Sequence, residues 1–277
     1  MKQKNQSFQS RQTMACDTFE IFSYREPRMQ AVPVHHHDFY EVYFYISGNV
    51  QFMVEDRTFS LESGDILLVC PDELHRAVVS ADARDERIVL WIDRRFLSGL
   101  FEPGENLSAC FESGQKLIRP APVERAAVLS LAKELVNEYY GQAPCSKLAS
   151  LGLFIRLMVE LNRIAAGTEA QPEAAVSPNL VHSVLSYIGE HYAEDISLDT
   201  LAARFFVSKY YLSHEFSEAV GTSVHKYIVM KRLVAARQLI LDGMKPGEAC
   251  HECGYRDYSN FYRAFVSLYG TNPDSLR

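Results

Sequence analysis

His35, His37, Glu41 and His75 carry most of the latent chemistry of the N-terminal part of the chain, in the order His35-x-His37-x3-Glu41 with His75 further on. Residues two apart on a strand face the same side, so His35 and His37 share a face and His36 should point outward. A turn-linked strand can bring His75 opposite them. Imidazoles with a carboxylate form a donor set for Zn, Fe, Ni or Mn. A second candidate is Cys250-His251-Glu252-Cys253. One C-x-x-C pair without a second makes half a zinc site.

These side chains need elements to hold them. Residues 42–46, 50–54, 66–69 and 88–92 are rich in β-branched and aromatic side chains and read as short strands. Ser47-Gly48-Asn49 and Glu62-Ser63-Gly64-Asp65 punctuate them as turns. Such strands without intervening long helices indicate an antiparallel sandwich or barrel. The run His35-x-His37-x3-Glu41-x6-Gly48, followed by Gly64-Asp65, Pro71 and His75, resembles the two cupin motifs, although no Gly follows Pro71. The resemblance implies a barrel that holds one small ligand inside. His35, His37, Glu41, Tyr43 and His75 are then expected to line an effector pocket. Tyr43, Tyr45, Phe52 and Trp91 suit stacking on a sugar or an aromatic effector. No cofactor is expected; the alternative is a metal held by His35, His37, Glu41 and His75, in a cupin enzyme or a metal sensor.

The next zone is helical. Val128, Leu131, Leu135 and Tyr139 mark one face of a helix over residues 123–140. A second helix over residues 146–165 carries two apolar stripes, Leu148-Leu151-Ile155-Met158 and Leu153-Leu157-Leu161. Two stripes mean two buried faces, and the heptad-like first one is expected to meet a second copy of the chain. Residues 166–178 are small, polar and Pro-containing, the composition of a linker. Hydrophobic content of 47% and charged content of 23% are those of a globular protein. The most apolar run, residues 151–161, contains Arg156 and Glu160 and is shorter than the roughly 20 residues a membrane span needs. The polar start lacks the apolar core of a signal peptide, and six scattered cysteines fit a reducing compartment, so a cytoplasmic protein is expected. A net charge of −7 argues, taken alone, against nucleic-acid binding.

The last zone overturns that argument. Ser197 is an N-cap before a short helix over 198–205, Phe206-Val207 connect, and Ser208 caps a second helix over 209–220 that Gly221 ends. Residues 248–253, the turn 254–257 and residues 258–269 repeat the unit, with Phe261 and Phe265 standing where Leu212 and Phe216 stood. A long helix over 223–241 joins them. Two short helices with a tight connection form a helix-turn-helix, whose second helix can enter a major groove.

Ile196-Ser197-Leu198, Leu201-Ala202, Val207-Ser208, Tyr211-Leu212-Ser213, Phe216 and Gly221 resemble the first half of the AraC/XylS DNA-binding domain. Tyr227-Ile228, Lys231-Arg232-Leu233, Ala236 and Leu239 resemble its linker helix. Gly254-Tyr255, Asp257, Ser259-Asn260-Phe261, Arg263, Phe265, Tyr269-Gly270, Pro273 and Leu276-Arg277 resemble its second half. The resemblance implies a transcription regulator with two recognition helices. It places Lys209, Tyr210, Ser213 and His214 on the DNA-facing side of the first, and Tyr258, Ser259, Tyr262 and Arg263 on that of the second. Cys250 and Cys253 fall on the family's small buried positions, so they read as core. The chain departs from the pattern where Ser217 and Val266 replace the usual Lys after each recognition-helix Phe. Residues 179–277 hold 10 Lys+Arg against 11 Asp+Glu, a net −1.

The expected architecture is therefore α+β in two domains, a cupin-like antiparallel β-barrel with dimerisation helices and an all-α double helix-turn-helix domain. The boundaries are a flexible arm at 1–18, the ligand-binding domain at 19–120, dimerisation helices at 121–165, the linker at 166–178 and the DNA-binding domain at 179–277. The expected partners are double-stranded DNA, a small-molecule effector with sugars among the candidates, RNA polymerase and a second copy of the chain, with no membrane. A non-enzymatic activator is the expectation, with a regulator that needs no effector as the other alternative.

Overall fold

The computed structural model describes residues 13–26, 32–79, 85–100, 104–167 and 179–276. Most of the expected arm (residues 1–12), of the linker (168–178) and the terminal Arg277 lie outside them. The described residues form two compact units, the first ending at residue 167 and the second running from residue 179, with Glu55–Arg57 grouped with the second. No helix among the described residues is long and apolar enough to cross a membrane.

In the first unit the strands are β1 (Phe19–Glu26), β2 (Tyr40–Ser47), β3 (Val50–Val54), β4 (Arg57–Ser60), β5 (Ile66–Val69), β6 (His75–Val79), β7 (Asp85–Ile92) and β8 (Leu117–Ile118). Its helices are α1 (Arg94–Gly99), α2 (Ala109–Glu112), α3 (Pro122–Tyr139) and α4 (Ser146–Gly167). Five strands form an antiparallel sheet in the order β1-β7-β2-β5-β8, and three form a second in the order β4-β3-β6. Alternation decides what each face of the larger sheet touches. Val42, Phe44, Leu68, Leu90 and Ile92 join a core with Leu131, Leu135, Phe154, Leu157 and Leu161 of α3 and α4. Tyr43, Tyr45, Leu67, Val69 and Val89 point the other way, to Phe52, Val54 and Ala77 of the smaller sheet. Each fully buried side chain of this kind contributes about 1.5–3 kcal/mol.

The periodicity of α4 is resolved by this packing. Its buried line is Ser150, Phe154, Leu157, Met158, Leu161 and Ile164, so Met158 belongs to the internal core rather than to an outer seam. Leu151 and Ile155 stay half-buried and Leu148 is 70% exposed.

The second unit comprises α5 (Leu180–His191), α6 (Leu198–Arg204), α7 (Lys209–Val220), α8 (Val224–Leu241), α9 (Pro246–Glu252), α10 (Tyr258–Tyr269) and a closing 3-10 turn (Pro273–Leu276). Ser197, Ser208 and Asp257 cap α6, α7 and α10, each side chain accepting from the backbone N–H three residues on. Gly221 and Gly270 end α7 and α10 in the left-handed conformation. Pro246, pre-shaped for a first helical turn, starts α9 two residues before the expected Glu248. Leu233, Ala236 and Ile240 of α8 form the core under Cys250, Cys253, Phe261 and Phe265. The C-x-x-C pair is thus packing, and burial pushes the Cys253 thiol up to about 12.

Candidate nucleic-acid interface and histidine cluster

The two helix-turn-helix units are α6–α7 and α9–α10. Capping fixes where α7 and α10 begin, and the Leu212-Phe216 and Phe261-Phe265 pairs fix which side is inward. The opposite side presents the expected residues. Tyr210 is 83% exposed, with its ring stacked near that of His214, and Lys209 is exposed and bonded through Nζ to Asp199 at 2.5 Å. His214 Nδ1 lies 3.4 Å from Glu215 and 3.9 Å from Glu218. Ser213 is half-buried. On α10, Tyr258, Ser259, Tyr262 and Arg263 are exposed, and Arg263 donates to the Asn260 side chain at 2.6 Å. Each unit thus offers a short row of aromatic and polar side chains, in which several charges are already paired.

The histidines are brought together by one backbone bridge. His35 N–H donates to the His75 carbonyl at 3.1 Å, and His75 N–H donates to the His35 carbonyl at 2.8 Å. Glu41 follows on the inner face of β2, opposite Trp91 of β7, whose indole N–H donates to Glu41 Oε2 at 2.8 Å. The ligating atoms of His37, Glu41 and His75 lie within 4.8 Å of one another. His35 stands at the edge of this group, its ring 4.3 Å from that of His75. Tyr43 lies one strand repeat from Glu41 on the same face, buried and edge-on to Phe52.

His36 departs from the sequence expectation. Its side chain is 8% exposed, with Nδ1 3.9 Å from Asp72. Strict alternation needs a regular strand, and residues 32–39 make only the single bridge at His35.

The imidazoles share one orientation. Nδ1 of His35, His37 and His75 meets the carbonyls of Pro33, Phe39 and Glu73 at 3.0, 2.9 and 2.8 Å. A carbonyl only accepts, so Nδ1 carries a proton in each ring, and in the neutral ring Nε2 is left with its lone pair. His37 Nε2 is 3.3 Å from Glu41 Oε2, and the buried His75 Nε2 has no hydrogen-bond partner among the described residues. Burial, with His35 and His37 nearby, holds the His75 pKa well below the usual imidazole value. Burial alone would raise the Glu41 carboxyl; His37, His35 and the Trp91 N–H outweigh it and hold it low.

Sequence reading missed a concavity elsewhere in this unit. A cavity of about 730 Å³ lies on the helix side of the larger sheet, lined by Phe19, Phe96, Tyr139, Tyr140, Ser150 and Leu151 among others. Its signal was Ser150, a hydroxyl inside an otherwise apolar buried line, with no hydrogen-bond partner among the described residues.

Comparison with known proteins follows the same division. Residues 20–139 match the AraC-like ligand binding domain and residues 201–277 match a helix-turn-helix domain. The chain is 25% identical over 233 residues to the "Uncharacterized HTH-type transcriptional regulator YbfI" of Bacillus subtilis, covering 84% of this chain and 82% of that protein. It is 25% identical over 265 residues to the HTH-type transcriptional activator RhaS of Pectobacterium carotovorum, covering 91% and 90%. Identity to the HTH-type transcriptional activator RhaR of Escherichia coli K12 is 23% over 247 residues, covering 88% and 86%.

Proposed function

The chain belongs to the AraC family of transcription regulators, with an N-terminal ligand-binding domain and a C-terminal helix-turn-helix DNA-binding domain, and from this premise we propose how it works. The helices α7 and α10 enter successive major-groove segments, with Lys209, Tyr210, Ser213, His214, Tyr258, Ser259, Tyr262 and Arg263 as the contacting residues. What carries this reading is that both helices are capped at their leading ends and keep these side chains on the faces turned away from the core. The effector is a small molecule, a sugar among the candidates, bound between the two sheets by His35, His37, Glu41, Tyr43 and His75. A ligand that binds one arrangement better shifts the DNA-competent population by its differential affinity. The protein acts in the cytoplasm as an activator that engages RNA polymerase, without catalysis of its own, as a homodimer. Leu148, Leu151 and Ile155, left partly open by one chain, supply the dimer seam. Binding titrations on the DNA upstream of its own gene, with and without candidate sugars, test the reading, since absence of specific binding would end it. Leu151→Asp with Ile155→Asp should yield monomers in sedimentation; a folded dimer would refute the seam.

A second reading, in which the effector is a divalent transition metal, is favoured by the imidazole orientation. Nδ1–H groups held by backbone carbonyls are the outer-shell arrangement that presents Nε2 to a metal. His37 Nε2 and the Glu41 carboxylate face each other at 3.3 Å, where a proton on Nε2 or a metal ion between them satisfies both. The residues therefore fit a metal, which His37, Glu41 and His75 would hold, with His35 beside them. Trp91, the chain's one tryptophan, reports on the site through its bond to Glu41. Nickel titration should quench its fluorescence in the wild type and not in His75→Asn; an unchanged signal refutes the metal reading.

A further inference from the structure

Phe206 lies in the turn between α6 and α7 with a φ of +55° and is 94% exposed. Gly254 holds the same place in the second unit, with a φ of +81°. The equivalence shows in the hydrogen bonds. Phe206 N–H donates to the carbonyl of Ala203 and Gly254 N–H to that of His251, each three residues back. The next amides, of Val207 and Tyr255, both donate five residues back, to Ala202 and Cys250, at 3.0 Å. Glycine therefore satisfies this turn. A bulky aromatic residue is disfavoured in the left-handed region, and an exposed ring gains no burial in exchange. The chain thus carries a strained, solvent-facing ring where its own second unit uses glycine, and such strain is a pointer to function.

The position indicates which function. Phe206 precedes the α7 cap, Ser208, by two residues, and the leading end of a recognition helix is the part that approaches DNA. Tyr210, one turn further on, is the other strongly exposed ring there. The cations beside them are compromised: Lys209 is paired with Asp199, His214 faces two glutamates, and Ser217 stands where a Lys is usual. An interface short of free charge has to draw more of its affinity from apolar contact. We propose that the Phe206 ring packs against deoxyribose at the edge of the groove that α7 enters, adding affinity that does not depend on salt or on base sequence. The inference rests on the reading of α7 as a recognition helix.

The test is a salt-resolved binding titration of the full chain on its upstream duplex and on an unrelated duplex, with thermal melts of the same samples. Phe206→Gly should melt higher than wild type and yet bind both duplexes roughly fivefold more weakly, the order expected for one partly buried apolar side chain. Its slope of log affinity against log salt should equal that of wild type. Lys209→Ala should instead lower that slope, by less than one because its ammonium leaves Asp199 to reach a phosphate. Phe206→Leu should recover part of the lost affinity. If Phe206→Gly binds both duplexes like wild type, the proposal is overturned. It is equally overturned if binding is intact but transcription with purified polymerase falls, which would assign the ring to a protein partner. A lower melting temperature for Phe206→Gly removes the strain premise. Wild type that binds no duplex at all refutes the recognition-helix reading itself, which the Phe206 variants cannot do.

Discussion

Gly254→Ala isolates what the left-handed turn demands of the second helix-turn-helix unit. At Gly254, with φ at +81°, an added Cβ would lie 2.3 Å from the Ala193 carbonyl oxygen and 2.8 Å from its carbon. The backbone conformation alone costs a non-glycine residue about 1–2 kcal/mol. The clash adds to this, because Ala193 cannot readily withdraw. Arg232 donates through Nε to the Tyr192 carbonyl at 2.7 Å and through its terminal nitrogen to the Glu194 carbonyl at 2.6 Å, clamping the peptide on both sides. Moving it breaks one hydrogen bond from a charged donor, about 1.5–3 kcal/mol. The expected loss is about 3–5 kcal/mol, a large share of the 5–15 kcal/mol typical of a domain. With a slope near 1–1.5 kcal/mol per M for a unit of this size, the urea midpoint should drop by about 2–5 M. Urea titration of the full chain separates the units, because the far-UV circular-dichroism transition that has no counterpart in Trp91 fluorescence belongs to the second unit, whereas Trp91 follows the first, α3 and α4 included. The midpoint should fall in the first signal and hold in the second. A circular-dichroism midpoint within about 0.5 M of wild type, well under one kcal/mol, would refute the reasoning.

Three further outcomes follow from the geometry. His75 and His35 have pKa values lowered chiefly by burial, so the unfolded chain takes up protons near pH 6.5 that the folded unit refuses. That contribution is complete above pH 6.5 and lost as pH falls below it; melts followed by Trp91 should show a decline toward pH 5 that His75→Asn flattens, and parallel declines would contradict it. Among the thiols, Cys16 and Cys145 are exposed while Cys110, Cys250 and Cys253 are buried, with Cys110 and Cys253 pushed up to about 12. A thiol reagent should label the first two quickly in the native chain and the other three only on unfolding, and rapid labelling of Cys250 would reopen a redox reading. Arg263→Ala should cost about 1–3 kcal/mol of DNA affinity and relax one base position, whereas His214→Ala should cost less; equal, sequence-independent losses would show that both residues touch only phosphates.

Local chemistry is what a sequence states most clearly. Ser197, Ser208, Asp257, Gly221 and Gly270 each act within a few residues of themselves, and the limits of α7 and α10 follow directly. The hydrophobic stripes of α4 are different, because periodicity reports that a face is covered without saying by what. Met158 turned out to face the chain's own sheet, and Phe154 completes that line. The strands β4 and β6 are short and carry Arg57, Ser60, His75 and Arg76, so composition alone did not mark them. The His37-Glu41-His75 grouping was legible because two of the three lie near each other in sequence, but the bridge that delivers His75 is long-range. Phe206 was illegible for the opposite reason: where geometry asks for glycine, the residue type gives no sign of a left-handed turn.

Net charge misleads about this chain because ion pairs on the reading face are exchangeable. Lys209–Asp199 and Arg256–Asp195 are both more than half exposed, a class of pair worth at most about 1 kcal/mol. Trading such a carboxylate for a phosphate therefore costs little, and a unit with as many acids as bases can still contact the backbone of DNA. What the acids remove is counterion release, since a phosphate that replaces an internal partner leaves an aspartate to find its own cation. Affinity should then fall less steeply with salt than for a basic reader. A larger share must come from the exposed rings of Phe206, Tyr210, Tyr258 and Tyr262 and from Arg263, where contact depends on fit rather than on charge.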